Sequence, residues 1–479
     1  MKKYLFLICS LALLLSCQKE DPYIVNNVEG HYIDSFGEKT LTYQEYKATF
    51  DNFISGLVMA IGQENLTQIV STPVDLLFGS GRTVLEYNMR SESGTLLQTP
   101  EWRIKYVNIR YRSIDQNGDP IILGANLQYP VYRDGSLHEL SGVELYFNPF
   151  APGQSCAITN SNYSYDNRAL YDKLVVNAEF QSTGVSAGAP MMVFNNVLVG
   201  RQSADAVLAA LEYIKSDTSV RLPEDYGTAL IGVSHGGMRA AATMKYLDTV
   251  ASEEVRETIN PIGIFSACAP YNQEIVFENF VDNSEDGDLS ETVGAQYLLP
   301  FFLQSCYNQH PEYFKTKKGK SSVRDFFSEE FLELSVRDGK DIVDFLSDNS
   351  AEYDYYLEAV AAVGNDPRRI CSSQMFNEDG TLNTLSYLVD GIYRCISENN
   401  LDSVWTLTAD MKIAYCPQDE FIPTESTLTM YNMLRTNAES GVSVSMDRFQ
   451  LPSMLEGYAH SLGSNYYIFY LLVGETPWI

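Results

Sequence analysis

The sequence predicts an α/β fold, a mostly parallel sheet with helices on both faces, interrupted by one inserted helical cap. Three observations carry that expectation. From residue 142 onward, short apolar runs alternate with amphipathic stretches, the mark of parallel strands joined by crossover helices. The alternation lapses between residues 272 and 400, where helical patterns occur without a convincing strand, and it resumes at 411. At one strand-to-helix junction stands Gly232-Val233-Ser234-His235-Gly236, with a glycine two positions to either side of a serine.

The chain begins with Lys2 and Lys3, followed by an apolar run over 4–15 that is too short to span a bilayer and reads with Ser16 as a signal peptide, 1–16. Leu14-Leu15-Ser16-Cys17 resembles a bacterial lipobox and predicts acylation of Cys17 as a membrane anchor. Each methylene buried in lipid contributes ~0.8 kcal/mol, so two or more chains anchor stably. Gln18 rather than Asp follows the cysteine, and Glu20-Asp21 resembles the export signal of surface lipoproteins. The expected address is therefore the cell envelope, as an outer-membrane lipoprotein facing outward. Residues 17–40 are polar and read as a tether.

The first part of the core is expected over 41–271. It opens with a helix at 43–69, whose apolar residues Phe50, Phe53, Ile54, Leu57 and Ile61 fall on one face. A hairpin follows, with runs at 107–111 and 121–129 around the Asn117-Gly118 turn. Strands are then expected at 143–147, 174–180, 228–233 and 261–268, and helices at 199–214 and 238–247. The insertion, 272–400, carries helical runs at 296–306, 323–334, 342–346 and 353–363; a structureless loop of that length would be implausible inside a compact domain. The core resumes over 401–479, with strands at 411–416 and 442–449 and helices at 424–435 and 462–472.

With 479 residues, 45% of them hydrophobic, the chain can bury one large core. Its 33 basic residues against 62 acidic ones leave a formal charge of −29, which repels phosphate backbones and argues against nucleic acid as a partner. The acidic run at 282–291 reads as a solvated loop. Beyond Cys9 and Cys17, six cysteines remain, without metal-binding spacing; Cys371 and Cys395 could pair or stay as buried free thiols.

The glycines around Ser234 matter because a serine exposed on a sharp strand-to-helix turn leaves no room for neighbouring Cβ atoms. Thr228 to Ile231 supply the strand, and Ala240-Ala241-Ala242 let the following helix pack closely. A serine hydroxyl is a weak nucleophile and needs a base held by a carboxylate. The chain has only five histidines, and of these only His460 follows the last expected strand. His235 adjoins the serine, but its backbone N–H is the useful group; His310 lies in the cap. The loop after 411–416 offers Asp419 and Glu420 as the acid, with Asp419 favoured by the Asp-x-x-apolar-Pro ending at Ile422-Pro423 and Asp447 a weaker competitor inside a later strand. Oxyanion donors are expected from the N–H of His235 and from Asn148 or Phe150, because Pro149 between them has no N–H.

These residues resemble the α/β-hydrolase fold and, within it, the secretory lipases typified by yeast lipase A, from about residue 105 onward. Tyr111-Arg112-Ser113-x-Asp115-x-x-Gly118-x-Pro120 is similar to that family's opening hairpin, and Glu179 to Ser186 occupies the place of its Asp-Tyr-x-Gly-x-Gly segment. Ala269-Pro270-Tyr271 and the Asp419 and His460 segments also match. Glu179 and Gln181 replace its Asp and Gly, and Asn148-Pro149 replaces its His-Gly. The resemblance implies hydrolysis of carboxylic esters, small or lipid, beneath a helical cap, with no metal or organic cofactor. Two other readings remain: a prolyl-oligopeptidase-like peptidase, whose usual N-terminal propeller would not fit in 18–100, and an inactive surface binding lipoprotein. Aromatic residues of the cap (Tyr297, Phe301, Phe302, Tyr355, Tyr356) are expected to pack it rather than line a pocket.

Overall fold

The computed structural model describes residues 27–42, 45, 102–148, 172–281, 294–315, 322–348, 361–449 and 459–460. The lipobox at Cys17, nearly all of the expected helix at 43–69, Phe150, Tyr355 and Tyr356, the acidic run at 282–291 and the expected helix at 462–472 lie outside them.

Strands β1 (Tyr32–Leu41), β2 (Trp102–Ile114) and β3 (Pro120–Tyr132) lead the described chain. The short β4 (His138–Glu139), then β5 (Gly142–Phe147) and β6 (Lys173–Ala178), precede helix α1 (Asn196–Ser216). Next come β7 (Val220–Arg221), β8 (Thr228–Val233), α2 (His235–Thr249), α3 (Glu253–Ile259) and β9 (Pro261–Ala267). The inserted segment carries α4 (Gln273–Val281), α5 (Ala295–Gln309), α6 (Glu329–Leu334), α7 (Ile342–Asp348), α8 (Pro367–Ile370) and α9 (Tyr387–Asn399). Finally β10 (Asp410–Tyr415), α10 (Thr424–Asn437) and β11 (Val444–Arg448) return to the sheet.

Among the described residues, nine strands form one sheet in the order β1-β2-β3-β6-β5-β8-β9-β10-β11. Pairing is antiparallel from β1 to β6 and parallel from β6 to β11. The parallel strands β5, β6 and β8 are buried along their whole length, as strands covered on both faces must be. From β5 the chain steps one way to β6, then returns to β8 on the other side and continues to β11. The strand order thus reverses between β5 and β8, and the carboxyl ends of the strands at such a point are where open α/β sheets bind ligands. The fold is that of the α/β-hydrolases. Among the described residues, no helix is long and apolar enough to cross a membrane.

The hairpin, the parallel strands and helices α1, α2 and α10 stand where the sequence predicts them, within a few residues at their ends. Two expectations are corrected. The polar stretch read as a tether over 17–40 contains β1, an edge strand paired with β2. Glu212 accepts the N–H groups of His31 (2.8 Å) and Tyr32 (3.2 Å), and Arg110 grips Asp34 at 2.6 Å, so the strand is held by polar contacts that leave no hydrophobic alternation to read. The helix expected at 323–334 is instead a 3-10 turn (Val323–Phe326) and α6. Ser322 and Ser328 each cap a new start, and the extended Phe327 between them breaks the helix. Cys371 and Cys395 are free thiols, with Cys395 donating to the Cys306 carbonyl at 3.5 Å.

The inserted helices pack on the core through both polar and aromatic contacts. Asn196 N–H donates to Asn399 Oδ1 at 3.0 Å, and Phe194 N–H to Ser305 Oγ at 3.2 Å. Phe302 stacks on Phe277 and meets Phe194, while Phe301 is buried, so these two aromatics pack the insertion as expected. Tyr297 is partly exposed.

Candidate functional site

Ser234 links the end of β8 to the start of α2 with φ 56° and ψ −129°, a conformation that favours glycine. Holding a side chain there costs about 1–3 kcal/mol and requires surroundings that over-determine it. Ser234 N–H donates to the Ala267 carbonyl at 2.8 Å, and its own carbonyl accepts from Met238 N–H at 3.1 Å. A Cβ on Gly232 would stand 2.1 Å from Gly236 O, and one on Gly236 would stand 2.1 Å from Phe147 O. Both contacts are with backbone, which cannot turn aside as a flexible side chain can. The turn is therefore closed between its own first helical residues and the end of β5.

A second layer supports it. Ser266 Oγ donates to Gly237 O at 2.8 Å and accepts from Tyr271 OH at 2.6 Å. Arg239 lies between the rings of Phe147 (4.6 Å) and Phe180 (4.8 Å) and donates to Ala178 O at 2.9 Å, tying α2 to the ends of β5 and β6. Arg239 is not legible in the sequence as a site residue; its only signal is a charge beside the alanine run of α2.

His460 meets Ser234 from a distant part of the chain, with Nε2 2.8 Å from Ser234 Oγ. Its Nδ1 lies 3.0 and 2.9 Å from the two Asp419 oxygens. A carboxylate only accepts, so Nδ1 carries the proton and Nε2 is left to accept the serine hydroxyl proton. Burial alone would lower the His460 pKa, but the Asp419 charge and hydrogen bond, with Glu420 beyond, raise it above the usual imidazole value. Asp419 is fixed in turn: its Oδ1 accepts the N–H groups of Phe421 and Ile422, both at 2.9 Å, in the turn that leads into α10.

The structure thus brings Ser234, His460 and Asp419 together in one hydrogen-bonded line. His235 turns its ring away, donating from Nε2 to Val193 O at 2.7 Å; burial, then the charge of Arg239, lowers its pKa to about 3 and keeps it neutral. Its N–H stands at the first turn of α2, at the positive end of the helix dipole. Asn148 follows β5, and its carbonyl would lie 2.8 Å from a Cβ placed on Gly236, so that loop adjoins the turn. Of the other candidates, His310 pairs with Glu312 and Glu398 at 2.9 Å each in the insertion, and Asp447 is held by Lys412 at 2.7 Å. Among the described residues, no group of His, Cys, Asp and Glu is placed to hold a metal ion.

No family model matches the sequence, and no curated protein sequence matches it either. Solved structures do. The chain is similar to a ligand-bound form of the rice cell wall degrading esterase LipA from Xanthomonas oryzae, at 14% identity and a TM-score of 0.57, over 91% of this chain and 96% of that one. It is similar also to Candida antarctica lipase A in its closed state, at 13% identity and a TM-score of 0.51, over 78% of this chain and 79% of that one.

Proposed function

We propose that the protein is a serine hydrolase acting on carboxylic esters. The observation that carries this reading is the line from Ser234 Oγ through His460 to Asp419, with contacts of 2.8 Å and 2.9 Å, beside the point where the strand order reverses. His460 takes the hydroxyl proton as Ser234 Oγ attacks the ester carbonyl, and Asp419 orients the imidazole and stabilises the imidazolium that forms. The tetrahedral oxyanion is received by the N–H of His235, with Asn148 or Phe150 as the second donor. His460 then returns the proton to the leaving alkoxide. The resulting acyl-enzyme is hydrolysed by water that His460 activates in the same way.

The ester preference draws support from two neighbours in fold whose descriptions are esterase and lipase. The lipobox at Cys17 supports an enzyme anchored in the cell envelope. Hydrolysis of p-nitrophenyl esters of increasing chain length, beside an aminoacyl-anilide, tests the reading. Turnover of the esters that falls by about a millionfold in Ser234→Ala, the scale at which removal of a nucleophilic serine acts, is the expected result. Cleavage of the anilide alone would assign a peptidase.

A further inference from the structure

His460 meets a second carboxylate besides Asp419. Its backbone N–H donates to Glu420 Oε2 at 2.8 Å, while its ring donates to Asp419 at 2.9 Å. Two consecutive residues of one loop therefore hold the same histidine at two points, one on the backbone and one on the imidazole. The Phe421 ring closes a third side, 5.0 Å from the imidazole and inclined at 73° to it. This matters because a single bond at Nδ1 leaves the imidazole free to pivot about that bond and carry Nε2 away from Ser234. A second point fixes an axis, and the ring contact blocks rotation around it. His460 lies in none of the strands of the described sheet, so the ladder of the sheet does not hold it.

We propose that Glu420 is a positioning residue: its carboxylate fixes the His460 backbone, and its charge adds to that of Asp419 in favouring the imidazolium. This rests on the reading of His460 as the base for Ser234. The groups that face His460 are consistent with it. Asp419 and Glu420 approach from the loop after β10 and Ser234 from the turn after β8, and the buried Cys268 thiol lies near Asp419 from the segment after β9. Glu420 is half-buried; burial raises its pKa, and the His460 N–H opposes that shift by favouring the carboxylate.

The test uses the full chain with p-nitrophenyl acetate, comparing Glu420→Ala, Glu420→Gln and Ser234→Ala, with thermal melting of each. Glu420→Ala is expected to lower kcat by about ten- to a hundredfold through loss of alignment, with KM little changed. Glu420→Gln should recover most of kcat, because its amide oxygen accepts the same N–H. In both, the acid limb of kcat/KM should move to lower pH, since a negative charge that stabilised the imidazolium is gone. Wild-type kcat with an unmoved acid limb in Glu420→Ala overturns the proposal, as does a loss confined to KM. If Glu420→Ala does not fold, the acid limb of Glu420→Gln decides alone, its staying in place being the contrary result. Full hydrolysis by Ser234→Ala would instead overturn the underlying reading of the site.

Discussion

Ser234 and His460 stand 2.8 Å apart, yet the chain holds them by different means. The serine is fixed by backbone: a strand end, a helix start, and glycines whose missing Cβ atoms let the chain close on Phe147 and on itself. The histidine is fixed by side chains, from two carboxylates and an aromatic ring on a loop 40 residues away. The first arrangement is part of the core, so disturbing it disturbs the fold. The second is added to the core, so it can be weakened one contact at a time.

Among variants that leave Ser234 itself in place, the largest effect on activity should come from the histidine side. Asp419→Asn is expected to lower kcat by about ten-thousandfold, the scale seen when a base loses its orienting carboxylate. Its melting temperature should move less than that of a variant in the serine turn, which calorimetry alongside the ester assay would check. Gly236→Ala is that contrasting variant. A Cβ 2.1 Å from Phe147 O forces the backbone apart, so stability should drop by about 1–3 kcal/mol or more together with activity. Were Gly236→Ala to keep both, the view of the serine turn as part of the core would fail.

Two smaller effects sharpen the comparison. The base must be neutral to accept the serine proton, and the His460 pKa is raised, so the acid limb of kcat/KM in the wild type should lie above about 6.5, the ordinary imidazole value. Activity should thus fall as pH drops through the raised pKa, and a limb below that value would remove the electrostatic part of the account. The smallest effect concerns the contact between the insertion and the histidine side. Gly294, at the start of α5, has φ +81°, and a Cβ there would stand 2.7 Å from Phe421 Cδ1. Gly294→Ala should cost about 1 kcal/mol for the backbone strain and reduce kcat a few-fold by pressing Phe421 toward His460. A melt and a kcat both equal to wild type would uncouple the insertion from the site.

The same contrast explains what could be read in the sequence. The turn at Ser234 is a local device, so five consecutive residues announce it, and the parallel strands announce themselves as apolar runs because both faces are buried. Strand β1 looks like a tether in the sequence because its contacts are polar and reach Glu212 far along the chain. His460 could be singled out because histidines are scarce, and Asp419 because of the loop ending at Pro423; neither was visible as a contact. The bond from His460 N–H to Glu420, and the place of Arg239 between Phe147 and Phe180, depend on segments meeting in space, which no local pattern encodes.

The central claim is that Ser234 is a nucleophile activated by His460. It is tested most directly by covalent labelling with a fluorophosphonate, read by intact mass and by peptide mapping. The account predicts one adduct, on Ser234, lost in Ser234→Ala and strongly slowed in His460→Ala. An unlabelled wild type, or an adduct that persists at another residue when Ser234 is replaced, would contradict it.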